Sequence, residues 1–555
     1  MNTPLPSRDQ TFDVLVIGGG INGVAIAREC AQRGKRTLIV EQNDFSSGTT
    51  SRSTRIIHGG LRYLEHAELG LVRESLRERE RLLCQMPHLV RPLQFLLVLP
   101  KPVHSLRRSS LAIRTGLWLY HHWAGGQRPA GDDISTFERQ LDAGKNWSIY
   151  SYEDAQCEFP ERLVAEWLAE SLAAGAMVCN HTQLLEISRS DGRVTGARLR
   201  DKISRQEYAV SAKWIINATG PWVDSVIGAS GISASRMIGG VRGSHLVLPQ
   251  FPGAPEQAVY TEALDGRPIF LIPWNGQILL GTSEVPDSDH ADNPQPTADE
   301  IDYLFKSFVR LFPRSGLSQT DVRYAFAGIR PLPFAPGWKA SAVTRRHILR
   351  DHQEDGAAGL ISVIGGKLTT AASLAREVGR KLGLNIPEPV NVFAAPVLEG
   401  GVESTVKQWA QLIASKANIP TGCAEAIAEW HGRHALAIAH AASLDERLRE
   451  PLCPHSSHLV AEAVEAVAHE SAITLGDILL RRVPVALGAC WSEECSLNAA
   501  QKIGNALGWD QPRIYLELLR LEEERENFLH PKQSGRAEAA RDCGVKSSSL
   551  PTEIA

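Results

Sequence analysis

The 555-residue chain predicts an α/β (α+β) fold, and three observations carry that prediction. An apolar strand runs into a glycine-rich turn and a helix over residues 12–34, the stretch from about 235 to 350 is rich in short apolar strands, and residues 400–530 are almost wholly helix-forming. The first pattern marks a Rossmann-like nucleotide-binding domain, the second a mostly antiparallel sheet, and the third an all-helical C-terminal domain. An apolar fraction of 43 %, a charged fraction of 22 % and a net charge of −4 are those of a globular protein without a global basic field, which argues against nucleic acid as a partner. The N-terminal residues lack an apolar signal core and no run of 18 or more apolar residues occurs, so the expectation is a cytoplasmic chain that does not span a membrane.

The organising stretch is Phe12-Asp13-Val14-Leu15-Val16-Ile17-Gly18-Gly19-Gly20-Ile21-Asn22-Gly23. Gly18, Gly20 and Gly23 leave no Cβ where a backbone must turn sharply beside a pyrophosphate. The helix that follows, through Ala25, Ile26, Ala27 and Cys30 to Gly34, aims its positive end at the phosphates. The strand Thr37-Leu38-Ile39-Val40 delivers Glu41, 18 residues after Gly23. A carboxylate there accepts from both ribose hydroxyls and repels a 2′-phosphate, so FAD or NAD is expected rather than NADP.

The loop from Asp44 to Arg55 is dense in hydroxyls and cations, with Thr49, Thr50 and Ser51 among the donors it offers to a second phosphate, and His58 and Arg55 are placed nearer the flavin as cofactor-binding residues. It continues into Ile56-Ile57-His58-Gly59-Gly60-Leu61-Arg62-Tyr63, where small residues let a flat ring pass close to the backbone. An isoalloxazine on a ribityl-pyrophosphate arm needs such a loop, and this favours FAD.

Residues Leu69 to Leu89 form an amphipathic scaffold helix. The segment 104–123 sets Arg107, Arg108 and Arg114 among leucines and tryptophans with no acid. Two readings stay open: a helix lying in the headgroup region of an anionic membrane, and a half-buried helix capped by solvated arginines. A helix from Glu161 to Ala174 and several strands lead to Lys213–Asn217, which enters Ala218-Thr219-Gly220 as a returning segment of the nucleotide domain. The strand Leu360–Ile364 then leads into Gly365-Gly366-Lys367-Leu368-Thr369-Thr370 and a helix, whose N–H groups can face negative charge on a reduced flavin. Proline-punctuated residues 386–399 read as a linker and 531–555 as a disordered tail.

Three cations, Arg330, Arg345 and Lys367, arrive at strand and turn ends, enough to grip one phosphate monoester. His245 is the candidate base for an alcohol proton, with Arg330 as an alternative that lowers the hydroxyl pKa. Arg62 and Tyr63 would close the pocket from the other side. Nine cysteines, with no C-x-x-C pair and no histidine at zinc spacing, read as reduced thiols and give no metal site.

Seven stretches together resemble the FAD-dependent, membrane-associated glycerol-3-phosphate dehydrogenases, within the glycine/D-amino-acid-oxidase-like flavoproteins. They are Val16–Gly23, Ile57–His66, Asn217–Val223, Arg242–His245, Gly328–Leu332, Val343–Arg345 and Gly365–Thr370. The resemblance implies a discontinuous FAD-binding domain (12–80, 150–230, 355–385), a substrate domain (81–149, 231–354) and a helical domain (400–530) after an N-terminal tail of residues 1–11. It also implies oxidation of sn-glycerol 3-phosphate to dihydroxyacetone phosphate, membrane quinone as acceptor, peripheral attachment to the cytoplasmic membrane face, and a homodimer. An O2-using oxidase, or a relative acting on hydroxy or amino acids, is the alternative. The chain departs from the family pattern at Arg55, where a lysine is usual, at Thr282-Ser283-Glu284 in place of Thr-Thr-Asp, and around Cys157–Arg162.

Overall fold

The computed structural model describes residues 10–61, 63, 68–100, 110–124, 135–144, 146–287, 292–337, 343–387 and 401–529. Arg62, Arg107 and Arg108, most of the expected linker and the expected disordered tail lie outside them.

One eight-stranded sheet carries the nucleotide-binding half, in the order Ile348–Asp351, Leu360–Ile364, Glu207–Asn217, Thr11–Ile17, Thr37–Val40 and Met177–Cys179; the hairpin of Thr182–Ser190 and Arg193–Asp201 extends it from Glu207–Asn217. Thr11–Ile17 lies parallel to both Thr37–Val40 and Glu207–Asn217. One face of these strands packs on the helix Ile21–Gln32 and the other on the Thr182–Ser190 and Arg193–Asp201 hairpin with the helix Val223–Ala229, so both faces are buried and the sequence is a continuous apolar run; Leu15, Val16 and Ile39 have no exposed surface. Ile17 pairs with Val40 on one side and Asn217 on the other. The three strands therefore end level, and Gly18, Glu41 and Ala218 leave the sheet at one edge, the carboxyl edge where open parallel sheets bind ligands.

The second sheet has nine strands, ordered Val285–Pro286, Val241–Leu248, Gln277–Gly281, Pro268–Trp274, Ala258–Glu262, Val90–Pro100, Trp147–Cys157 and Ile56–Ile57, with Tyr324–Arg330 also paired to Val241–Leu248. Its pairings are antiparallel except that of Ala258–Glu262 with Val90–Pro100. Sheet membership corrects the expected boundaries. Ile56–Ile57 and all of Trp147–Cys157 belong to the second sheet, and Ile348–Asp351 belongs to the first, because long strand pairings, and not the order of the chain, decide which layer each segment joins.

The helical part contains Gly401–Ala417, Thr421–His431, Ala435–Leu444, Val460–His469, Glu493–Leu507 and Gln511–Leu529. Small apolar residues such as Ala424, Ala428, Ala439 and Ala442 fill its core with Ile413 and Ile438, so the helices pack closely. Among the described residues no helix is long and apolar enough to cross a membrane.

Candidate active site

A cleft of about 870 Å3 runs between the two sheets. Its floor is the carboxyl edge of the first sheet. Gly18 has φ +105°, and a Cβ there would stand 2.7 Å from the Ala218 carbonyl oxygen. A Cβ on Gly23 would fall 1.8 Å from the Gly18 carbonyl oxygen, so this glycine is required for the turn and helix to pack; it does not itself line the cleft. Gly20 caps the helix Ile21–Gln32, whose first turn contains no acid, and the Ile21 N–H donates to Thr50 Oγ1 at 3.1 Å. Glu41 accepts from Gly19 N–H at 2.7 Å and Asn43 N–H at 3.0 Å; burial pushes its carboxyl upward.

The Thr49–Thr50–Ser51 loop divides its duties. Thr49 and Thr50 line the cleft, Thr49 donating to the Ile329 carbonyl at 2.8 Å, whereas Ser51 faces inward and donates to the Ser46 carbonyl at 2.5 Å. Gly59 likewise supports from behind: a Cβ would meet Leu76 and Tyr120 at 2.5 Å, and its N–H donates to the buried Asp154. Gly60, with φ +79°, reaches the cleft beside the Tyr63 ring.

Arg55, expected near the flavin, borders the cleft while its guanidinium is held by an internal partner. Its side chain is fully buried, with Nη1 and Nη2 at 2.9 and 3.0 Å from the two Glu161 carboxylate oxygens and the guanidinium 4.6 Å from the Trp274 ring centre. A guanidinium forked onto an internal carboxylate is a structural ion pair, and the arginine at this position has the planar geometry such a pair requires.

On the facing wall stands His245, on Val241–Leu248, stacked on Phe326 with ring centres 5.0 Å apart. Its Nε2 is 3.0 Å from Thr54 Oγ1, and its buried Nδ1 has no hydrogen-bond partner. Burial, reinforced by the charges of Arg330 and Arg55, holds the imidazole well below its ordinary pKa, so it is neutral. His58 is lowered to about 3 by burial and by Lys367 and Arg79, and its backbone N–H donates to Thr369 Oγ1 at 3.2 Å.

The three cations line this same cleft. Arg330 donates to Thr282 Oγ1 and, at 3.4 Å, to the Ser283 carbonyl. Arg345 sits 2.8 Å from Glu284. Lys367 donates to Ser75 at 2.7 Å with its ammonium 4.6 Å from the Tyr63 ring centre, and burial brings it down to about 8. Gly366, Leu368 and Thr369 complete this corner, and Gly220 lines the far end. Arg52 and Arg267 also line the cleft, as do the stacked Tyr260 and Phe270; sequence reasoning missed them. Arg52 lay inside the loop singled out for its cations, and Tyr260 and Phe270 occupy aromatic positions of strands whose register only the sheet reveals.

FAD fits this set of residues. Asn22 Oδ1 and Ser46 Oγ are buried at the cleft wall without hydrogen-bond partners among the described residues, and such orphaned acceptors and donors call for a polar ligand. A Cβ on Gly366 would stand 2.4 Å from Asn22, which keeps the two halves of the cradle in contact.

The site and fold define a flavin-dependent oxidoreductase, and comparison with known proteins agrees. The family described as FAD dependent oxidoreductase matches residues 13–379, and the family described as C-terminal domain of alpha-glycerophosphate oxidase matches 395–514. A protein named glycerol-3-phosphate dehydrogenase from Synechocystis sp. is 35 % identical over 566 residues, covering 94 % of this chain and 98 % of its own length. One named D-erythritol 1-phosphate dehydrogenase from Brucella abortus is 35 % identical over 385 residues, 68 % of this chain and 75 % of its own. The X-ray structure of the glycerol-3-phosphate dehydrogenase from Bacillus halodurans complexed with FAD has a TM-score of 0.73 at 24 % identity, covering 94 % of this chain and 95 % of its own. The chain belongs to the FAD dependent oxidoreductase family, and within it to the group of glycerol-3-phosphate dehydrogenases.

Proposed function

We propose that the protein oxidises sn-glycerol 3-phosphate to dihydroxyacetone phosphate and passes the electrons to membrane quinone. The observation that carries this reading is the meeting of Arg330, Arg345 and Lys367 with a neutral His245 in one cleft whose floor is a dinucleotide cradle. Bound FAD supplies the acceptor for the hydride that leaves the secondary carbinol carbon. Gly18, Gly20, Thr49, Thr50, Ala218 and Gly220 would hold its phosphates and adenosine side, and His58, Gly60 and Gly366–Thr369 would border the ring. Arg345 and Lys367 take the phosphoester, whose charge attracts them more strongly in a buried site than in water. His245 accepts the hydroxyl proton through a ring nitrogen, and Arg330 stabilises the oxygen as it becomes negative.

Anaerobic titration of the purified yellow protein with glycerol 3-phosphate tests the reading. Bleaching of the flavin band by this ester and not by glycerol is expected; a spectrum that stays oxidised would overturn it. A second reading is a longer polyol phosphate. Glu284 lines the cleft and contacts Arg345 through Oε1, and a carboxylate at the cleft wall is an acceptor suited to the further hydroxyls of such a substrate. Erythritol 1-phosphate in the same titration separates the two, and reoxidation by a short-chain quinone against O2 separates dehydrogenase from oxidase.

The reading includes peripheral attachment to the cytoplasmic face of the membrane. The helix Ser110–Trp123 supports it: Leu117 and Tyr120 anchor one side, while Trp118 is 60 % exposed and Arg114 is exposed on the other. Homodimerisation is also part of it, supported by exposed Tyr515, Leu516 and Leu519 on Gln511–Leu529 and tested by sedimentation.

A further inference from the structure

Away from the cleft, the helical domain gathers Cys453, His455 and Cys495, whose ligand atoms all lie within 4.8 Å of one another. The loop that carries the first two is closed by the pairing of Pro451 with Leu459 and by Leu452 N–H donating to the His458 carbonyl at 2.9 Å. Cys495 comes from the first turn of Glu493–Leu507, where the Ser492 hydroxyl caps the helix by accepting from Cys495 N–H at 3.3 Å. Cys495 Sγ lies 3.7 Å from His455 Nδ1. In a tetrahedral zinc site, bonds of about 2.3 Å to sulfur and 2.0–2.1 Å to nitrogen place neighbouring ligand atoms about 3.5–3.8 Å apart. The observed separation has that edge length.

We propose that Cys453, His455 and Cys495 bind a divalent transition-metal ion of the zinc class, with Cys490 as the fourth ligand. Cys490 is exposed and its carbonyl already accepts from Cys495 Sγ at 3.7 Å, so its side chain stands beside the three grouped ligands and would turn in to complete the set. As each metal–sulfur bond forms, the thiol gives up its proton to solvent, and no electron changes hands. The ion would join the 451–459 loop to the start of a helix that follows it by a long excursion of chain, a staple for the domain. The sequence expectation of no metal site rested on the lack of a C-x-x-C pair and of a histidine at zinc spacing; Cys453-Pro454-His455 is a ligand pair of shorter spacing that these criteria passed over.

The test uses full-length holoenzyme, reduced, treated with chelator, desalted and titrated with cobalt(II) chloride. One cobalt per chain is expected, with the sulfur-to-metal charge-transfer and intense visible ligand-field bands of a tetrahedral thiolate site, erased when zinc(II) chloride is added. Cys495→Ser should lose the bands, His455→Ala and Cys490→Ser should weaken binding at least tenfold, and Cys84→Ser, at an exposed cysteine elsewhere, should change nothing. His455 and Cys490 are exposed, so their variants keep the fold, which the retained flavin absorbance verifies. Binding well below one ion per chain, bands unchanged in His455→Ala, or a Cys453–Cys495 disulfide in protein purified without reductant would overturn the proposal.

Discussion

Arg345 and Arg330 do different work although both line the cleft. Arg345 pairs with Glu284 at 2.8 Å, so under the proposed function a phosphoester would share it with a resident carboxylate; Arg330 is aligned by Thr282 and Ser283 beside His245. A charge-assisted contact is worth about 1.5–3 kcal/mol, so Arg345→Ala should raise KM for glycerol 3-phosphate at least tenfold with FAD retained. Steady-state kinetics that leave KM unchanged would remove Arg345 from phosphate recognition. His245→Ala should lower kcat more than it raises KM. Because burial and then Arg330 hold His245 well below 6.5, it stays neutral as pH falls through that value. The kcat/KM profile should therefore show no acid limb near 6.5; a limb there that vanishes in His245→Ala would show that the imidazole titrates normally and contradict this account of the base.

At the scale of elements, the glycine turn and the helix it opens are the most tightly specified. Gly23→Ala would drive a methyl group into the Gly18 carbonyl, so the variant should lose flavin on gel filtration, whereas Gly220→Ala, whose Cβ would meet nothing within 4 Å, costs only its positive φ and should keep more of it. The interfacial role proposed for Ser110–Trp123 has its own check: Trp118→Ser with Arg114→Glu should reduce co-sedimentation with anionic vesicles without changing flavin content, and equal pelleting would dismiss this helix as the contact. These elements also show what the sequence could convey. The parallel strands were legible because burial on both faces leaves an unbroken apolar run, and Glu41 because it closes such a strand. The allotment of Ile56–Ile57 and Trp147–Cys157 to the second sheet was not, since strand pairing joins residues far apart in the chain. The ion pair of Arg55 was not legible for a related reason: its partner, Glu161, lies on a helix after a long strand, and no local pattern announces the pair.

For the whole molecule, buried charge ties the helical domain to the nucleotide-binding half along two seams. In one, Asp44 meets Arg482 at 2.7 and 2.8 Å and also binds Arg481, which contacts Asp477 at 3.2 Å and Glu524; Arg481 and Glu524 themselves line the cleft. In the other, Arg162 meets Glu470 at 2.7 Å and His431 at 3.1 Å, and His431 meets Glu462 at 2.9 Å. Asp44→Asn would leave two buried guanidinium groups undercompensated, a cost of about 3–5 kcal/mol, and should lower Tm and speed flavin loss together. The same seams set the response to acid. Burial, with Arg162 beside it, lowers the His431 pKa although Glu462 opposes the shift, so the unfolded chain binds a proton that the folded chain refuses below about 6.5. Glu462 and Asp477, despite burial, are held below the ordinary carboxylate range by His458 and His431 and by His181 and Arg481, so the stability they contribute above about 4.5 is lost as they protonate on further acidification. Both effects have one sign: stability falls as pH falls, by about 1.4 kcal/mol per pH unit for each group once inside its window. His181, raised by Asp477 against its burial, runs the other way and makes the decline shallower near neutrality. Thermal melts of the holoenzyme should therefore drop slowly from pH 7 to 6 and steeply below about 5. In His431→Gln the upper part of the decline should flatten relative to the parent, and parallel curves for the two proteins would show that this histidine does not couple proton uptake to the docking of the helical domain.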